Sequence, residues 1–162
     1  MPRKRPADDE THLLNVDLEV RSRKNLAPFA AAMEALGVLA LTNARWDDGE
    51  YFTNFEVEVY SNGRRIETAD AKTRVLADAL DALPPTARRL FDTATRRTFD
   101  IGIQGERKPV AFSLALSPST VKRVAALNAE IAVTVYAADR PAIPLEKLGK
   151  ALAVAKRKSK KR

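Results

Sequence analysis

Apolar and polar residues alternate from His12 to Val20, with Leu14, Val16, Leu18 and Val20 on one side and Asn15, Asp17 and Glu19 on the other. A period of two marks a half-buried strand, so the segment predicts a strand of an antiparallel or mixed sheet. The period then lengthens. Leu26, Phe29, Ala30, Met33 and Leu36 fall at helical spacing, with Ser22 or Asn25 as cap, Pro28 in the first turn and Gly37 as terminator. A strand is expected from Val38 to about Trp46. Asp48-Gly49 sets a hairpin turn, and the return strand runs from Tyr51 to Tyr60, with Phe55, Val57 and Val59 opposite Asn54, Glu56 and Glu58. Asn62-Gly63 reads as a second tight turn.

From Thr68 to Leu83 the pattern is helical again, through Val75, Leu76, Ala79, Leu80 and Leu83, until Pro84-Pro85 interrupts it. Thr86 is the expected cap of a shorter piece carrying Leu90 and Phe91. Two further strands are predicted at Phe99 to Ile103 and Val110 to Leu116, joined as a hairpin by residues 105–109. Ser117-Pro118 opens a helix with Val121, Val124, Ala125 and Leu127 apolar, and Ile131, Val133 and Val135 form a last strand.

Two sections read alike as strand, serine-marked loop, helix and strand: LEVRSRKNLAPFAAAMEALGVLALTNA (18–44) and LALSPSTVKRVAALNAEIAVTVYA (114–137). The expected fold is therefore α+β. It is a two-layer sandwich, ferredoxin-like or a duplicated split βαβ, with a mixed or antiparallel sheet and helices on one face. The stretches ALPPTARRLFDTATRRTFDIGI (82–103) and LSPSTVKRVAALNAEIAVTVY (116–136) resemble a bacterial family of small proteins whose domain has no assigned function. The resemblance covers residues about 12–137. It implies a fold and carries over no catalytic residue.

Charge divides the chain differently from hydropathy. Arg3, Lys4 and Arg5 open it, and Lys156, Arg157, Lys158, Lys160, Lys161 and Arg162 close it. Taking those nine from the 28 basic residues leaves nineteen against 21 acidic ones, so the body is slightly acidic although the formal net charge is +7. Positive charge confined to the ends describes arms, and no basic face on the fold follows from it. The expected organisation is an N-terminal arm at 1–10, a single α+β domain at 11–140 and an amphipathic, basic tail at 141–162. Leu145, Leu148, Ala151, Leu152 and Ala155 fall at helical spacing in that tail. At 162 residues and 45% apolar, one domain can bury a core unaided. The opening residues lack the apolar stretch of a secretion signal and no apolar run approaches about 18 residues, so a cytoplasmic protein with no membrane partner is expected.

Candidate chemistry is sparse. The chain has no cysteine, which excludes disulfides, thiolate metal sites and cysteine nucleophiles. The single histidine, His12, begins a strand without an orienting partner; Ser117 and Ser119 sit where a helix cap belongs. The acidic groups at Asp8, Asp9 and Glu10 and at Asp47, Asp48 and Glu50 read as solvated termini and turns. No glycine-rich phosphate loop occurs. No catalytic residue, cofactor or metal site is predicted, and the expectation is a protein that is not an enzyme. More informative is the sheet face opposite the core, where alternation places Asn15, Asp17, Glu19, Asn54, Glu56, Glu58, Asp100 and Gln104 beside the aromatic residues Phe52, Tyr60 and Tyr136. Carboxylates repel phosphate, so this face disfavours RNA stacking and favours a protein partner or a second copy. The expected function is an interaction module whose body binds a protein or itself through Asp17, Glu19, Phe52, Glu56, Glu58, Tyr60 and Tyr136. Its basic ends contact nucleic acid nonspecifically. The alternative is an immunity or antitoxin-like protein whose acidic sheet face covers a basic target.

Overall fold

The alternating segment becomes the middle of a sheet. In a computed structural model that describes residues 10–57, 60–61, 64–106 and 111–137, strand β1 (His12–Ser22) lies between two antiparallel neighbours, β3 (Tyr51–Glu56) and β6 (Arg96–Gln104). β2 (Leu39–Arg45) pairs antiparallel with β3 on one edge, and β7 (Glu130–Tyr136) pairs parallel with β6 on the other. The order is β2-β3-β1-β6-β7. These directions make β1 parallel to β2 and β3 parallel to β6, each pair separated by one strand. Helix α1 (Ala27–Ala35) joins the first pair; α2 (Ala69–Asp81) and α3 (Pro85–Asp92) join the second. Two interleaved split βαβ units in this order are the ferredoxin-like arrangement. Helix α4 (Pro118–Ala126) then leads from β6 to β7 and adds a fifth strand. A small antiparallel pair, β4 (Tyr60–Ser61) with β5 (Arg64–Arg65), stands apart from this sheet.

The core lies between the sheet and one helical layer. Val16, Leu18 and Val20 of β1, Phe55 of β3, and Phe99 and Ile101 of β6 are buried on one face. The register sets Leu18 between Phe55 and Phe99. Leu26, Phe29, Ala30 and Met33 close over them from α1, with Leu76 and Leu80 from α2, Phe91 from α3 and Val124 from α4. Local chemistry sets the helix ends. Thr68 Oγ1 accepts from the Ala71 N–H at 3.1 Å, and Ser117 Oγ accepts from the Thr120 N–H at 3.3 Å. Proline occupies the first turn of α1, α3 and α4, where its missing donor costs nothing. Gly37 ends α1 at φ +83°, and Gly49 takes φ +86° in the β2–β3 turn, both in the left-handed region that glycine enters without strain.

Several expectations need correction. Leu14 is 42% exposed because the register shifts between Leu13 and Asn15, which turns Leu14 outward and lets Leu13 pack on the core instead. Leu36, just past α1, is exposed as well. The cap of α3 is Pro84, with no side-chain bond, and Thr86 lies inside the helix. For α1, Ser22 Oγ accepts from the Lys24 N–H at 3.0 Å and Asn25 Oδ1 from the Ala27 N–H at 2.9 Å, while Leu26 holds the cap position. Residues 111–117 form no strand, so the hairpin with Phe99 to Ile103 is absent. The reason is topological: β6 is already paired on both sides, by β1 and β7, and Leu114 and Leu116 pack against the core as connecting chain. The section from Leu114 to Ala137 therefore lacks the first strand of the proposed repeat, and the two split units of the sheet are those described above. The Asn62-Gly63 turn and Val59 lie outside the described residues.

Candidate interaction face

The side of the sheet away from the helices is read row by row from the register. Arg21 stands between Phe52 and Arg96, Glu19 between Asn54 and Thr98, and Asp17 between Glu56 and Asp100. Asp17 thus has a carboxylate directly across from it on both neighbouring strands, an arrangement that opposes folding. Its carboxyl is pushed up to about 6, first by burial and then by Glu56, Glu19 and Asp100, with Lys72 pulling the other way. Burial and Asp100 also raise Glu19, against Arg21 and Arg96. Asn15 Nδ2 donates to Asp17 Oδ1 at 3.0 Å, and Thr134 Oγ1 lies 2.9 and 2.8 Å from the two Asp100 oxygens.

Lys72 of α2 acts on Asp17 and Glu56 electrostatically. Only 4% exposed, it donates from Nζ to the Val57 carbonyl at 3.0 Å, and burial lowers its pKa against the pull of Glu56 and Asp17. Gly102 gives the Asn15 amide its place: a Cβ there would lie 2.5 Å from Asn15 Oδ1 and 3.6 Å from the Tyr136 ring. The glycine therefore keeps clear the groups that flank Asp17.

Most arginine ion pairs among the described residues lie elsewhere. On the helical layer Arg74 pairs with Asp70, Arg88 with Asp81 and Asp92, and Arg123 with Asp78 and Asp81. Arg96 pairs with Glu130 at the sheet edge. Among the described residues no salt bridge closes on Asp17, Glu19, Glu56 or Asp100. Asp70 and Asp81 are held below the usual carboxylate range by their hydrogen bonds, to Thr120 and Ser117 for the first and to Arg123 for the second. The contrast is between the ion-paired aspartates of α2 and α3 and the central sheet carboxylates, on which no salt bridge closes among the described residues.

Of the residues singled out from the sequence, Asp17, Glu19 and Glu56 come together, joined by Asp100. Phe52 lies at the far end of the face, its ring 4.9 Å from Trp46, and Tyr136 lies on the opposite edge strand. The aromatic residues therefore do not cluster. Tyr60 belongs to β4, outside the five-stranded sheet. Glu58, Arg3, Lys4, Arg5, Lys156, Arg157, Lys158, Lys160, Lys161 and Arg162 lie outside the described residues.

The stack of Arg21 on Trp46, with the guanidinium carbon 4.0 Å from the ring centroid, was missed. Its signal was present in the flanks of the Asp48-Gly49 turn, which bring Trp46 and Phe52 side by side, but it needed the Arg21–Phe52 register to be seen. His12 Nδ1 lies 2.6 Å from the Glu10 carbonyl, and Asp48 Oδ1 accepts from the Glu50 N–H within its turn. Among the described residues no group of acidic or histidine side chains could hold a metal ion, and no helix is long and apolar enough to cross a membrane. Compared with family models, with curated proteins and with solved structures, the chain returns no match.

Proposed function

We propose that the protein is a non-enzymatic interaction module whose acidic sheet face, Asp17, Glu19, Glu56 and Asp100, binds a cationic protein surface. The observation that carries this reading is the row Glu56–Asp17–Asp100, on which no salt bridge closes among the described residues, in a chain whose α2 and α3 aspartates pair with arginine. A lysine or arginine from a partner would supply the missing counter-charge, and complementarity of this kind confers specificity and speeds encounter. An immunity or antitoxin-like role, covering a basic target, is the biological form that such a face fits.

Capture from nuclease-treated lysate tests it. A protein retained by the wild-type chain, and by a chain lacking residues 1–5 and 156–162, is expected to be lost when Asp17→Asn, Glu19→Gln and Glu56→Gln are combined. Undiminished capture by the neutralised variant would overturn the reading.

The basic ends serve a second, separable contact, nonspecific binding of nucleic acid. Six cationic side chains at the C-terminus that neutralise about six phosphates give a salt slope near −5 on duplex DNA. Gel-shift titrations at several salt concentrations are expected to show that slope for the full chain and to lose most of the binding on truncation. Affinity unaffected by truncation removes this part of the proposal and leaves the sheet face standing.

A further inference from the structure

Among the described residues the sheet ends at β7 with its apolar side uncovered. Ile131, Val133 and Val135 are 40%, 55% and 62% exposed, whereas their partners one strand inward, Phe99, Ile101 and Ile103, are 0%, 1% and 7% exposed. A lateral step of about 4.8 Å thus takes the same face from full burial to the open. Helix α4 buries Val124 over this part of the sheet and leaves Val121 44% exposed. Among the described residues β7 pairs only with β6, so its outer backbone groups have no strand beside them.

Edge strands normally carry a device against pairing. β2, the other edge, has a register shift between Ala40 and Thr42 and ends in Arg45. β7 has none of these: its seven residues, EIAVTVY, include no proline, lysine or arginine, its pairing with β6 is unbroken, and its one charge, Glu130, is held by Arg96.

We propose that β7 is the two-fold interface of a homodimer, in which it pairs antiparallel with β7 of a second copy, Val133 opposite Val133, and doubles the five-stranded sheet. The strand is complementary to itself in that register. Ile131 meets Val135 and Val133 meets Val133 on the helical side, and Ala132 meets Thr134 on the other. Glu130 meets Tyr136, whose phenol can donate to the carboxylate. All seven residues find a partner, the helix-side pairs are β-branched, and no like charges face each other. An isologous contact of this kind closes after two copies. This inference adds a named occupant to the interaction reading without resting on the acidic face.

Light scattering on the purified full-length chain at about 50 µM is expected to give twice the 17.9 kDa chain mass. Val133→Lys, which sets two ammonium groups against each other at the two-fold axis, is expected to give the single-chain mass with unchanged far-UV circular dichroism. Val133 is already exposed in one copy, so the substitution leaves the core untouched. Val133→Glu is expected to behave likewise, and an equal mixture of the two variants to recover the dimer. A wild-type chain at single-chain mass overturns the proposal, whether residues 138–162 or another protein covers the edge. A dimer that persists in Val133→Lys, or a mixture that stays monomeric, overturns it too. The assay contains no other protein and alters no residue of the acidic face, so its failure is distinct from failure of that reading.

Discussion

Replacing Phe29 with alanine is expected to cost about 3–5 kcal/mol of stability, the range for deleting a fully buried aromatic ring. Phe29 is 0% exposed, and its ring meets Phe55 edge-on at 5.2 Å and Phe91 at 6.0 Å. It therefore ties α1 to the sheet and to α3 at once, and the gap left behind is walled by rigid rings with little freedom to collapse inward. A total stability of about 5–15 kcal/mol makes this a large fraction. Urea unfolding reads it as a fall in midpoint of about 2 M at a slope near 2 kcal/mol/M. Leu36→Ala, beside the same helix but exposed, is the control and is expected to stay within about 0.5 kcal/mol. Equal losses for the two variants would mean that α1 does not dock through Phe29.

Much of this core is legible in the sequence because periodicity reports which residues share a face. The alternation of Val16, Leu18 and Val20 marks the inner side of β1, and the spacing of Phe29, Ala30 and Met33 marks the inner side of α1. Turn chemistry is equally local, so Asp48-Gly49 and Pro84-Pro85 fall where punctuation is needed. What periodicity lacks is the neighbour. Residues 111–116 carry the apolar content of a strand, yet no sheet edge remains beside β6 to receive them. Ile131, Val133 and Val135 alternate as cleanly as the β1 core residues and stand exposed, since alternation names a face without saying what covers it.

The candidate site follows the same division. Parity alone puts Asp17, Glu19 and Glu56 on the outer face, but the placing of Asp17 between Glu56 and Asp100 is a matter of register, set by long-range pairing that no local pattern encodes. The same holds for Arg21 on Trp46. The helical arginines pair with Asp70, Asp78, Asp81 and Asp92, and among the described residues no ion pair closes on the central sheet carboxylates. Stability and placement of charge pull apart at this point, as they do where function costs stability.

Asp17→Asn separates the two. The folded carboxyl sits at about 6 against 3.8 for the ordinary group, so between those values the folded chain binds a proton that the unfolded chain has released. Stability therefore falls as pH rises through the window from about 4 to about 6, and above it the full penalty of the charged form is present. Asparagine carries no charge to penalise and keeps an acceptor for Asn15 Nδ2. The variant is expected to match wild type near pH 4 and to exceed it at pH 8 by about 1–2 kcal/mol, less than the unscreened shift implies because water reaches the sheet face. Asp70 and Asp81, whose folded values are depressed, contribute stability that is lost on acidification, and they cancel in the difference between the two chains. Urea titrations at pH 4.5, 6 and 8 measure that difference; a flat profile, or a variant weaker than wild type at pH 8, refutes the assignment. Combined with loss of partner capture, a gain in stability marks Asp17 as a residue kept for binding, whereas a carboxylate kept for the fold would lose stability on the same substitution.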